Sequence, residues 1–214
     1  MTSPTQTEPP FVPLRQTGWA TKRTPLWVFA ALAVLAVGVV LVSLSHKPSQ
    51  SQRASDLAGY FSDVTGGIGS CAAGLGNSET AYEQVLGGAA SHAKTAQAIL
   101  TYGANNCTLA NNEPLTDFGS YQVTESLASL NLDTADNDVL SWSFDSTAVQ
   151  QDMSAVLSAT TPAARATAQG TLKTAIVKLD AQRTAVDAIW NAAQKATGAT
   201  AAIPSLPSLP SLPA

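Results

Sequence analysis

Few residues of this chain have side chains suited to chemistry: two cysteines, two histidines, a cluster of aspartates and two tryptophans in the second half. Cys71 and Cys107 are the only cysteines. In an oxidising compartment they favour a disulfide. Closing a loop of ~37 residues would add roughly 4 kcal/mol on the chain-entropy estimate. The expected bridge lies within one chain; pairing between chains and free thiols are the alternatives. His92 lies beside the apolar stripe of a helix, and His46 follows an apolar run. A His92–Met153 haem pair can be drawn in a bundle, but only the residue types speak for it. "LDTADND" holds Asp133, Asp136 and Asp138 without the glycine and distal glutamate of a calcium loop. It reads as capping at a helix start. Asn106-Cys107-Thr108 matches a glycosylation sequon by chance. Trp142 and Trp190 read as packing residues rather than as the lining of a ligand groove. No Glu-x-x-His, His-Glu-x-x-His, Gly-x-Ser-x-Gly or phosphate-loop pattern occurs. No catalytic, metal or cofactor site is expected, and no cofactor.

The elements that hold these residues begin with a long apolar run. Leu26–Ser45, "LWVFAALAVLAVGVVLVSLS", is 20 residues without a charge. As a helix it covers about 30 Å, the hydrocarbon thickness of a bilayer. Trp19 and Trp27 suit an interfacial belt, and Arg15, Lys22 and Arg23 before the run favour an inside amino terminus. A cleaved signal peptide usually has an apolar region of only about 7–15 residues. Residues 25–45 are therefore expected to be a retained single-pass signal-anchor, in contact with membrane lipid. The span shows no small-xxx-small face for helix dimerisation. Residues 1–24 are then a disordered cytoplasmic tail, and everything after residue 45 is extracytoplasmic, in the cell envelope.

Charge excludes one class of partner. The chain carries a formal net charge of −4, only 12% of it is charged, and its mean hydropathy is +0.08. Between Ala54 and Ala164 there are twelve acids and one base, Lys94. Nucleic-acid binding needs clustered bases to neutralise phosphates, so nucleic acid is not an expected partner.

Residues 46–198 read as an all-α domain. Leu57, Phe61, Val64, Ile68, Cys71 and Leu75 make one helical stripe within residues 50–76. Gly66, Gly67 and Gly69 predict a kink. Gly76 is the expected stop, with Asn77 or Ser78 capping a second helix that carries Tyr82, Leu86, Ala89, Ala93, Ala96 and Leu100 as far as Gly103. This layout strains the bridge. A second helix of some 20 residues descends ~30 Å, whereas six to eight extended residues return only about 20–27 Å. The bridge then needs an early helix end or a bent hairpin. Residues 104–133 predict a long connection with short helical pieces, one over Thr124–Leu130. A third helix starts after Asp133 or Thr134, with Val139, Trp142, Val149, Met153 and Val156 inward. A fourth starts at Thr161-Pro162, carries Ala168, Leu172, Ala175, Leu179, Val186, Ile189 and Ala193, and ends at Gly198. The four predict an antiparallel four-helix-bundle-like domain, with the basic fourth helix set against acidic neighbours.

Residues 199–214 form a Pro-rich tail, "AAIPSLPSLPSLPA" at its end. Polyproline II has three residues per turn, so the prolines, leucines and serines would each occupy one edge. The expectation is a disordered or semi-rigid tail, with a leucine-edged docking strip as the alternative.

The stretches "CTLANN", "YQVTESLASLNL", "WSFDSTAVQQDM" and "KLDAQRTAVDAIWNAA" resemble uncharacterised secreted or membrane-anchored helical proteins of actinobacteria. The resemblance implies an envelope location and a helical fold, and no activity. The expected function is a membrane-anchored extracytoplasmic helical module, a cell-envelope binding, structural or adaptor protein without enzymatic activity, with an envelope protein as its partner. The alternative is a ligand-binding or sensory bundle acting through a partner membrane protein.

Overall fold

The computed structural model describes residues 47–119 and 122–209. The expected tail 1–24 and signal-anchor 25–45 lie outside the described residues. Among the described residues no helix is long and apolar enough to cross a membrane.

These residues form an all-α domain. Helix α1, Gln50–Leu86, starts where the Ser49 side chain accepts from the Gln52 amide at 3.1 Å and runs 37 residues without a break. The expected stop at Gly76 and cap at Asn77 or Ser78 are not there. Helix α2, Ala93–Asn106, begins only after a turn at Gly87–His92. Gly88 takes φ 105° in that turn, a conformation that favours glycine. The local glycine signal yields to packing: Gly74 lies against Gly103 of α2, and Ser78 is buried with a hydrogen bond to Gln150. Gly67 likewise marks a close approach within a continuous helix. A Cβ there would lie 2.7 Å from Phe118 Cβ.

The connection after α2 is built of short pieces, as its composition predicts. They are a 3₁₀ turn at Leu109–Asn111, helix α3 (Glu113–Gly119) and a 3₁₀ segment at Glu125–Leu130. Helix α4, Leu132–Ser158, follows, with Val139, Trp142, Val149, Met153 and Val156 all sealed from solvent. Helix α5, Pro162–Thr197, has its predicted start and stop. Thr161 accepts from the Ala164 amide at 3.1 Å, Pro162 opens the first turn, and Gly198 closes the helix at φ 69°.

Side-chain pairs give the helix directions. Cys71–Cys107 and Gly74–Gly103 make α1 and α2 antiparallel. Tyr60–Asp136 and Ser78–Gln150 make α1 and α4 parallel. Gln97–Ser158 and Thr147–Ala104 oppose α2 to α4, and the short link at residues 159–161 folds α5 back on α4. The four longer helices thus alternate in direction. Because α2 is short, α3 and the second 3₁₀ segment cover the rest of α1. Phe118 packs at Gly67, and Arg53 donates to Ser126 O at 3.1 Å and Ser129 Oγ at 3.2 Å.

The tail departs most from expectation. Its described part, residues 199–209, lies on the domain. Gln194 Nε2 donates to Ala201 O at 2.7 Å, and Leu206 and Leu209 enter the core cluster at 3% and 4% exposure. A disordered tail does not describe these residues; residues 210–214 lie outside the described part.

Candidate functional site

Cys71 and Cys107 form a disulfide with a Cα–Cα distance of 4.5 Å, and neither sulfur-bearing residue is exposed. The bridge fastens the end of α2 to the middle of α1. Beyond it the two helices touch through glycine. A Cβ on Gly74 would lie 3.0 Å from Gly103 Cα and 3.2 Å from Gly103 O. A Cβ on Gly103 would in turn lie 2.8 Å from Gly74 O, so the approach needs a residue without a side chain at position 103.

Below this contact lies a buried polar group of atoms held by hydrogen bonds. Ser78 Oγ donates to Gln150 Oε1 at 2.7 Å. Gln150 Nε2 donates to Ser146 O at 3.1 Å and faces Cys107 Sγ at 3.6 Å. Ser146 Oγ donates to Trp142 O at 2.8 Å. A buried amide is costly unless satisfied, so this set fixes the register of α1, α2 and α4 around the disulfide.

Toward the hairpin turn the helices separate and leave an open groove of about 460 Å³. Gly74, Ala81 and Gly103 form its buried floor. Asn77, Thr80 and Gln84 of α1 face Thr95, Ile99 and Tyr102 of α2. No charged residue lines it. Tyr102 is 69% exposed, the most exposed of the large apolar side chains among the described residues. The groove can therefore take a neutral surface, with an aromatic face beside amides and hydroxyls. Neither cysteine signals the groove in the sequence, and Tyr102 and Gln150 carry no motif. One signal was there. Antiparallel bridged helices put the two cysteines equidistant from the turn, and half their separation of 36 residues falls at Ala89.

A second polar group ties α1, α4 and α5 at the other end of the domain. Trp190 Nε1 donates to Tyr60 Oη at 3.2 Å, and Tyr60 Oη donates to Asp136 Oδ1 at 2.7 Å. Phe61 packs edge-on to Trp190 with ring centroids 6.2 Å apart. Burial pushes the Asp136 carboxyl up to about 6; the Tyr60 hydrogen bond opposes this, and Asp133 adds to it. Asp136 thus serves in tertiary packing rather than in capping, while Asp133 sits in the first turn of α4. This arrangement holds helices together and presents no nucleophile.

The remaining candidates fall apart in space. His92 is exposed on the turn before α2, whereas Met153 is sealed in the core. Trp142 and Trp190 are both fully buried, so they pack rather than line a groove. Among the described residues no three of His, Cys, Asp and Glu gather as a metal site would require. No protein-family model matches the chain, and comparison with curated proteins and with solved structures returns no match.

Proposed function

We propose that this chain is a single-pass, membrane-anchored helical module that displays a binding face on the extracytoplasmic side and performs no catalysis. Its expected partner is an envelope protein. The observation that carries the reading is the uncharged α1–α2 groove, held open beside a buried disulfide. A rigid concave surface of this kind lowers the ordering cost of association. An exposed tyrosine at its lip is the residue type that interfaces favour.

The same bridge supports an extracytoplasmic compartment. Structural disulfides belong to oxidising environments, which agrees with an amino terminus held inside by Arg15, Lys22 and Arg23 and an apolar span at residues 25–45. The resemblance to actinobacterial envelope proteins points the same way. An open groove without a deep aromatic pocket favours a protein face over a small-molecule sensor.

The test is site-specific photo-crosslinking in intact cells that carry the full chain. A photoreactive residue at Tyr102 should give one reproducible envelope adduct. The same residue at Val177, exposed on α5, should not. Equal adducts at both positions, or none at Tyr102, would contradict a groove-borne binding role.

A further inference from the structure

The C-terminal tail sits on the domain in a pattern that matches its own repeat. Ala202, Ser205 and Ser208 are exposed, Ile203 and Pro207 are half-buried, and Pro204, Leu206 and Leu209 are buried. Exposure therefore recurs every three residues, as it does for one edge of a polyproline II segment whose other two edges face the domain. Among the described residues, no hydrogen bond fixes the backbone between Ala202 and Leu209. The nearest anchor is Gln194 to Ala201 O. Side chains alone thus set where this segment rests: Leu206 and Leu209 enter the core cluster, and Ile203 packs against it at the same three-residue spacing.

The chain carries three leucines at that spacing, Leu206, Leu209 and Leu212, each preceded by serine and followed by proline. Leu206 and Leu209 fill the seat, and Leu212 lies outside the described residues. The tail of a second copy carries the same aliphatic–proline pairs and so presents the same edges to the seat. A released tail of residues 199–214 would reach about 50 Å at ~3.1 Å per residue, enough to meet a neighbouring domain. Prolines hold the segment near its bound form before it docks, which lowers the entropic cost of binding.

We propose that the surface seating Leu206 and Leu209 is a docking site for extended leucine–proline triplets, and that its occupant in trans is the Ser-Leu-Pro tail of a second copy of this chain. Copies would then associate by exchanging tails. This inference stands apart from the α1–α2 groove and does not need it.

The test uses the full chain with Leu206→Ser, Leu209→Ser and Leu212→Ser, which empties the seat at unchanged length. The probe is a fluorescent peptide of residues 201–214. It should bind the variant saturably and at least about tenfold tighter than it binds the wild type, whose own tail competes. A peptide with the three leucines changed to serine should not bind. Equal binding of the two peptides to the variant would overturn the seat. If the variant loses its helical circular dichroism, the wild type labelled through Ser208→Cys replaces it. Excess wild-type peptide should then displace the label, and an unchanged signal would overturn the proposal. Light scattering tests the occupant: wild-type chain should form concentration-dependent dimers that the triple variant lacks, and a wild type monomeric throughout would exclude the second copy.

Discussion

Tyr60 Oη lies 2.7 Å from an Asp136 carboxylate that burial raises to about 6. An acid with a native pKa above its ordinary value of 3.8 binds more protons folded than unfolded. Its stabilising contribution is complete below the ordinary value and is lost as pH rises through about 6. A rise from 3.8 to about 6 would correspond to ~3 kcal/mol in a sealed site. Asp136 is only half-buried, and solvent screening reduces this to about 1 kcal/mol. Asp136→Asn keeps an acceptor for Tyr60 and removes the titration. Wild type should lose about 2–4 °C in melting temperature relative to this variant between pH 4 and pH 6.5. Parallel melting curves for the two proteins across that range would contradict the assignment. None of this was legible from residue type. "LDTADND" shows where a helix starts, but which of its aspartates meets a tyrosine depends on how α1 and α4 align.

The glycines of α1 and α2 separate local signal from packing at the level of the helix. A Cβ on Gly66 or Gly69 would meet nothing within 4 Å, whereas a Cβ on Gly103 would lie 2.0 Å from Gln150 Oε1 and 2.6 Å from Ser78 Oγ. Replacing Gly66 or Gly69 by alanine should add about 0.5–1 kcal/mol each through helix propensity. Gly103→Ala should cost about 2–4 kcal/mol, because it separates Ser78 from a buried amide that then lacks a donor. Thermal unfolding of the three variants checks the ordering; a Gly103 variant as stable as the other two would refute the close-approach argument. Periodicity read α4 and α5 well, because their stripes and the Thr161-Pro162 and Gly198 signals all agree. It misplaced the first hairpin. "GLGNSE" looks like a helix end locally, but Gly74 and Ser78 serve contacts with α2 and α4, which a single stretch of sequence does not display.

At the level of the whole molecule, the all-α class and the alternation of four longer helices were legible from apolar spacing. The charge pattern is met at one place, where Lys178 of α5 meets Asp145 of α4 at 2.9 Å, whereas Arg183 pairs within α5 with Asp180 and Asp187. The burial of the tail was not legible, although its three-residue period was. A proline-rich segment has no stripe to match against helices, and its seat exists only once the domain has assembled. The central claim joins three properties of one molecule: a retained apolar span, an outward-facing domain and an oxidised Cys71–Cys107 pair. Intact mass spectrometry tests all three on chain taken from carbonate-washed membranes of cells whose free thiols were alkylated before lysis. The expected result is a membrane-bound chain that still contains residues 1–45, with neither cysteine alkylated. A chain starting near His46, or one alkylated at both Cys71 and Cys107, would contradict it.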